Sequence, residues 1–243
     1  MNFFSFKEYR KIFYYYKSNL KLLNFNEVNK NSNNFFILRH DVEFSIERAF
    51  DLALFEKWKL NTKSNFFFQL KNNSYNLLSY ENIKMVNEII KMGHGVGLHF
   101  NYKGPKNKKL IISELNKQKK IFFSNFKKAI NFFSPHRPSK NRFLLNLNLP
   151  NFKNTYLNLY FTPYEKAINN VNKTLYLVDS RHKWKFIHPL NVDLKKHRKI
   201  QLVFHPDAWT KKGYNLKKNY SNLKKEKNII FKETLFNETD YIK

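Results

Sequence analysis

FFILRHDVEFSIERAFDLALF, residues 35–55, carries the reading from which the fold follows. Phe35-Phe36-Ile37-Leu38 is a short apolar run of the kind that forms a buried strand. It leads straight into Arg39-His40-Asp41-Val42-Glu43. Ser45 then stands where a helix N-cap is expected, with Ile46, Ala49, Phe50, Ala53 and Leu54 on one side of a helix reaching about Leu60. Strand alternation places Arg39, Asp41 and Glu43 on one side and His40 on the other. Two carboxylates on one side of a strand end can divide labour, one holding a metal and one taking a proton. The competing reading is a helix-leading acidic pair with a salt bridge to Arg39.

The same rhythm continues outward. Asn65-Phe66-Phe67-Phe68-Gln69 reads as the next strand, and Ser79 as the cap of a helix with Ile83, Val86, Ile89 and Ile90 on its apolar face. Gly93 suits the end of that helix. Gly95-Val96-Gly97-Leu98-His99 is a strand and 107–130 a helix. Asn131-Phe132-Phe133-Ser134 is a further strand, and later ones are expected at 156–161, 174–179 and 200–204. Alternating strands and helices at this spacing predict parallel β/α units, an α/β protein. Upstream, Phe6, Tyr9, Phe13, Tyr16 and Leu20 recur at helical steps, so 1–30 is read as a helical appendage, 31–210 as the β/α body and 211–243 as a basic, partly ordered tail.

In such folds chemistry gathers at the C-terminal strand ends. Four more polar clusters sit there. His94 and His99 bracket a stretch holding Gly95 and Gly97, a place for close backbone approach. Ser134-Pro135-His136-Arg137-Pro138 pairs a His and an Arg between prolines, a rigid setting for orienting a carboxylate. Leu202-Val203-Phe204-His205-Pro206 runs from an apolar strand into a His, with Asp207 and Trp209 following. Asp179-Ser180-Arg181, with Trp184 nearby, is the fourth.

Composition sets limits. The 243 residues include 45 Lys+Arg against 18 Asp+Glu, a net charge of +27, and no Cys. A metal must therefore be held by His, Asp or Glu, and disulfides and iron–sulfur clusters are excluded. The 38 Lys, 35 Asn and 26 Phe stand beside only 7 Arg. This bias fits A/T-rich coding, while the charge attracts anions whatever its origin. It is spread along the chain, and no RNA-binding signature accompanies it, so nonspecific nucleic-acid binding ranks last among the functions considered. The start, MNFFSFKEYRKIF, has no long apolar core, and no apolar run approaches the ~18 residues that span a bilayer. The expected location is cytoplasmic, with peripheral membrane contact open to so basic a surface.

Taken in order, Arg39-His40-Asp41-Val42-Glu43, Gly93 to His99, His136-Arg137-Pro138, Asp179-Ser180-Arg181 with Trp184, and His205-Pro206 resemble the motifs of the polysaccharide deacetylase superfamily (NodB homology, carbohydrate esterase 4-like). The likeness spans roughly 35–210. It is nearest to an uncharacterised branch with an R-H-D-V-D/E first motif, associated with surface-polysaccharide biosynthesis. The resemblance implies a distorted (β/α)7-type barrel that hydrolyses an N-acyl group, acetyl above all, from an amino sugar on a glycan, nucleotide or lipid carrier. It implies one divalent metal ion, with zinc the expected identity. By position, Asp41 is the general base and Glu43 the acidic metal ligand; in the alternative register Asp41 is the ligand and His40 stands in the base's place. His99 matches the first His of an H-x-x-x-H motif, Arg137 the arginine that orients the base, and His205 the general acid. His136, Asp179, Arg181, Trp184 and Trp209 are expected around the substrate. One departure stands out: the second motif His falls on Lys103, which cannot ligate while protonated. His94, His136 and His205 are the candidates to complete the site. A catalytically impaired barrel that binds glycan or nucleotide sugar is the alternative function.

Overall fold

The computed structural model describes residues 4–239. Helix α1 spans Phe6–Lys17 and strand β1 Lys21–Leu22; β2 is Phe35–Val42, α2 Ile46–Lys59, β3 Asn65–Phe68, α3 Tyr80–Lys91, β4 Gly95–Phe100, α4 Lys108–Phe126 and β5 Phe132–Pro135. After these come β6 (Lys153–Asn154), α5 (Tyr164–Ala167), β7 (Leu175–Val178), β8 (Lys199–Phe204) and α6 (Leu216–Glu238).

The strands form one all-parallel sheet in the order β6-β5-β4-β3-β2-β8-β7, with β1 also pairing to β2. It curls into a distorted α/β barrel whose helices cover the outside. Every residue of β2 is buried, as a strand covered on both faces requires. Its alternation is the expected one. Phe36 and Leu38 join a core shared with α1 and β8, while Phe35 and Ile37 point the other way, toward Phe67, Phe132 and Tyr160. Ser45 caps α2 as expected, its hydroxyl accepting from the Arg48 amide at 3.1 Å. Gly97 is needed for space: a Cβ there would lie 2.4 Å from the Phe67 ring and 2.8 Å from the Phe132 carbonyl oxygen.

Register decides which side chains meet. His40 pairs with Phe204 across β2–β8, and Val178 with Val203 across β7–β8. Strand ends carrying Asp41, Asp179 and His205 thus come out together. Across β4–β5, His99 pairs with Ser134, which sets His136 just beyond the same edge.

Three expectations change. The strand expected at 156–161 is absent: β6 lies earlier, at Lys153–Asn154, because Asn154 turns the chain there, its side chain donating to the carbonyls of Leu144, Leu145 and Leu147. Tyr156 instead points inward and bonds the Tyr176 hydroxyl at 2.9 Å. The segment 1–30 is no appendage. Tyr9, Ile12, Phe13 and Tyr16 of α1 are buried in the main core and β1 extends the sheet; residues 1–3 of this segment lie outside the described residues. The segment 211–243 contains the 23-residue helix α6, docked by a paired Arg48–Glu226 contact, a Lys227–Glu47 ion pair and a buried Asn219; residues 240–243 lie outside the described residues.

Candidate metal and catalytic centre

Inside the barrel, Arg39 is fully buried, and its guanidinium forks onto Asp41, Nε to Oδ1 at 2.9 Å and Nη2 to Oδ2 at 2.6 Å. Its remaining donors reach Gln201 at 2.9 Å, Ser134 and Tyr156. Such bidentate, charge-assisted pairs are strong and directional. Burial alone would raise the Asp41 pKa, but the Arg39 charge, His99 and the hydrogen bonds bring it down to about 2. The cation that holds Asp41 is therefore Arg39. Arg137, expected in that role, sits exposed on the loop after β5 and lines the cavity above.

One residue beyond β2, the Glu43 carboxylate is a hub. Its Oε1 lies 3.2 Å from His136 Nε2, 3.3 Å from His99 Nε2 and 3.8 Å from His205 Nε2. Burial disfavours its charge, yet the His136 and His99 hydrogen bonds hold its pKa well below the usual carboxylate range. One ligating atom each from Glu43, His99 and His136 fall within 4.8 Å of one another. His99 Nδ1 lies 3.2 Å from the Ser134 carbonyl, which would take the Nδ1 proton once Nε2 gave up its contact with Glu43 to ligate an ion. Burial lowers the His136 pKa and favours its neutral, ligating form.

These donors fit a divalent ion. A carboxylate and two imidazoles make a three-ligand set with open positions, as in catalytic zinc sites. Bonds of about 2.0–2.1 Å in tetrahedral array separate ligand atoms by about 3.3–3.4 Å, close to the Glu43–His spacings. Lys103, exposed on the loop after β4, is not part of the set. His136, first expected beside the substrate and also a candidate to complete the metal site, stands within this candidate set.

His205 leans on Asp179. Its Nδ1 is 2.7 Å from Asp179 Oδ1, and its backbone N–H donates to the same carboxylate at 2.9 Å. The Trp209 indole N–H completes the shell, 2.5 Å from Asp179 Oδ2. Burial works against a charged imidazole, but Asp179, with Glu43 and Asp41 behind it, lifts the His205 pKa to about 10. Asp179 is thus a buried anchor for His205. Trp209, 1% exposed, positions that anchor and offers no face to a sugar. Trp184, half-buried, packs against Phe204 and Trp209 behind it. Arg181 is exposed and lines the cavity.

The other histidines divide cleanly. His40, on the opposite side of β2 as alternation requires, bonds the buried Glu56 at 2.9 Å, and Tyr9 donates to the same carboxylate. The register that makes His40 the base is therefore excluded. His94 accepts from the Ser64 amide at 3.1 Å, near Glu56, and is structural.

The cavity over the centre has a volume of about 610 Å³. Its walls include features that motif reading missed. Tyr164 and Phe186 stack at 4.5 Å with rings 2° apart. Asp207, two residues past His205, has an Oδ1 without a hydrogen-bond partner, and burial pushes its pKa up to about 7. The His-Pro-Asp spacing was its only signal in the sequence.

No family model matches the chain, and no curated protein matches it. Among solved structures it is similar to a CE4 family pseudoenzyme from Bacillus anthracis, with a TM-score of 0.44 and 18% identity over 82% of this chain; the chain spans 63% of that protein's length. It is also similar to the chitin deacetylase of the fungal pathogen Colletotrichum lindemuthianum, with a TM-score of 0.45 and 13% identity over 85% of this chain and 86% of that one. A third is a peptidoglycan N-acetylglucosamine deacetylase, with a TM-score of 0.43 and 16% identity over 89% and 92%. Likeness at this level does not extend to chemistry.

Proposed function

We propose that this chain is a metal-dependent hydrolase of the polysaccharide deacetylase type, which removes an N-acyl group, acetyl foremost, from an amino sugar. The observation that carries this reading is the meeting of Glu43, His99 and His136 at the rim where Asp41 and the His205–Asp179 pair also emerge. We place it in surface-polysaccharide biosynthesis, following the motif resemblance, and in the cytoplasm, the location expected from the sequence. No helix among the described residues is long and apolar enough to cross a membrane.

An amide is a weak electrophile with a poor leaving group, so hydrolysis needs charge stabilisation and two proton transfers. A divalent ion, zinc the expected one, held by Glu43, His99 and His136 would supply Lewis acidity to the acyl carbonyl and the attacking water. Asp41, kept ionised and aimed by Arg39, accepts the proton of that water. His205, charged at neutral pH because Asp179 backs it, donates a proton to the departing nitrogen. The stacked Tyr164–Phe186 wall offers an apolar surface to a sugar ring.

A second reading has its own support. Asp41 is 3% exposed with a pKa near 2, a weak base at neutral pH. A barrel that binds acylated sugars without hydrolysing them is compatible with that. Metal analysis combined with amine release from N-acetylglucosamine oligomers separates the two. The hydrolase reading expects about one zinc per chain and an amine signal lost in Asp41→Asn. Full zinc occupancy with no amine released from any N-acyl sugar would leave only the binding barrel.

A further inference from the structure

Arginine is scarce here, 7 residues against 38 Lys, and its placement is not random. Arg39 and Arg48 are buried and paired with carboxylates. Arg10 lies over the Phe55 ring and Arg198 donates to a backbone carbonyl. The remaining three, Arg137, Arg142 and Arg181, all line the cavity over the catalytic centre. They come from two connections, Arg137 and Arg142 from the one between β5 and β6 and Arg181 from the one after β7. Each is exposed, and none has a carboxylate partner among the described residues. Arg137 and Arg181 occupy left-handed backbone, at φ 49° and 55°.

Charge in the cavity is sorted by depth. The carboxylates Asp41, Glu43, Asp179 and Asp207 lie deep, Asp41 paired with Arg39, Asp179 with His205, and Glu43 against His99 and His136. At the rim, the three arginines are joined by exposed Lys140 and Lys185, against one exposed carboxylate, Glu165. Diffuse surface lysine does not account for this, because the residue concentrated here is the rare one. A guanidinium presents a fixed fork that matches a phosphoryl group and sheds water more readily than an ammonium does.

We propose that the cavity takes an amino sugar that carries a phosphate, with Arg137, Arg142 and Arg181 holding the phosphoryl oxygens at the rim while the acyl group reaches the floor. This rests on the sugar-deacylation reading for the acyl end alone. The phosphoryl can come from a sugar phosphomonoester or from a diphosphate-linked carrier.

Binding, read by calorimetry on the full chain without turnover, tests it. The probes are N-acetylglucosamine, its 1-phosphate, its uridine-diphosphate conjugate and inorganic phosphate, in about 0.15 M salt, where the Debye length is about 8 Å. The expected result is that at least one phosphorylated sugar binds about tenfold or more tightly than the neutral sugar. Whichever of the two binds better identifies the source. Arg142→Gln with Arg181→Gln should erase the preference. Lys11→Gln with Lys17→Gln, two exposed cations outside the cavity, removes the same charge and should keep it. Thermal melting checks that each variant is folded. Equal binding of neutral and phosphorylated sugars would overturn the proposal, as would inorganic phosphate matching the sugar phosphate, or equal losses in both pairs of variants. If the preference is present but no amine is ever released, the hydrolase reading fails and the phosphosugar site remains.

Discussion

Glu43 Oε1 stands 3.2 Å from His136 Nε2, across two strand ends and 93 residues of chain. The H-x-x-x-H spacing puts the second histidine at Lys103, on the loop after β4. The fold brings a histidine to that place from beyond the next strand, because β4 and β5 are in register at His99 and Ser134. Under the proposed function, His136 would thus supply the donor that Lys103 cannot.

Metal affinity follows from that contact. His136→Ala should weaken zinc binding by more than about 100-fold, beyond what loss of a supporting hydrogen bond costs a metal site. Lys103→Ala should leave it within about twofold. Competition with a chromophoric chelator measures both, and equal effects would move the site elsewhere.

Asp207 carries a stability penalty with a defined pH window. Its folded pKa of about 7 lies above the usual value near 3.9. The folded state therefore holds the proton more tightly, and its contribution, full at acid pH, is lost as pH rises from about 4 through 7. Asp207→Asn should melt a few degrees higher than the parent at pH 8 and match it near pH 4. Parallel melting profiles would rule out a buried, protonated Asp207.

The His205–Asp179 pair has the opposite kind of group and its own window. With a folded pKa of about 10 against about 6.5 unfolded, the His205 contribution is present below pH 6.5 and lost as pH rises through 10. In Asp179→Asn the imidazole loses its counter-charge. Its pKa, followed by NMR, should fall by more than one unit, and the alkaline limb of any amine release should move with it. An unmoved resonance would separate His205 from Asp179.

Gly97 is a packing requirement. A Cβ 2.4 Å from the Phe67 ring and 2.8 Å from a backbone carbonyl forces strands apart, so Gly97→Ala should cost about 1–3 kcal/mol. Chemical denaturation reads it directly, and an unchanged midpoint would mean that β3 and β4 can shift freely.

Much of this was legible in the chain itself. The run Phe35–Leu38, the alternation through Glu43 and the cap at Ser45 specify a strand, the side on which its carboxylates fall, and the helix that follows, because each depends on neighbours a few residues away. His99 at a strand end and His205 after one were readable for the same reason. Helix α6 was not: its apolar periodicity is weak, and distant partners dock it, Glu226 on Arg48 and Lys227 on Glu47. The two tryptophans misled because aromatic residues near a site pack into cores as readily as they face ligands.

Local pattern thus determined strands, caps and the edge of the barrel that bears the polar groups. Only the tertiary structure decided the partners: Arg39 on Asp41, His136 on Glu43, Asp179 behind His205, and three arginines around one opening. The physical reason is that strand and helix periodicity act over a few residues, whereas these contacts are set by inter-strand register and by loops converging in space, which no spacing along the chain encodes.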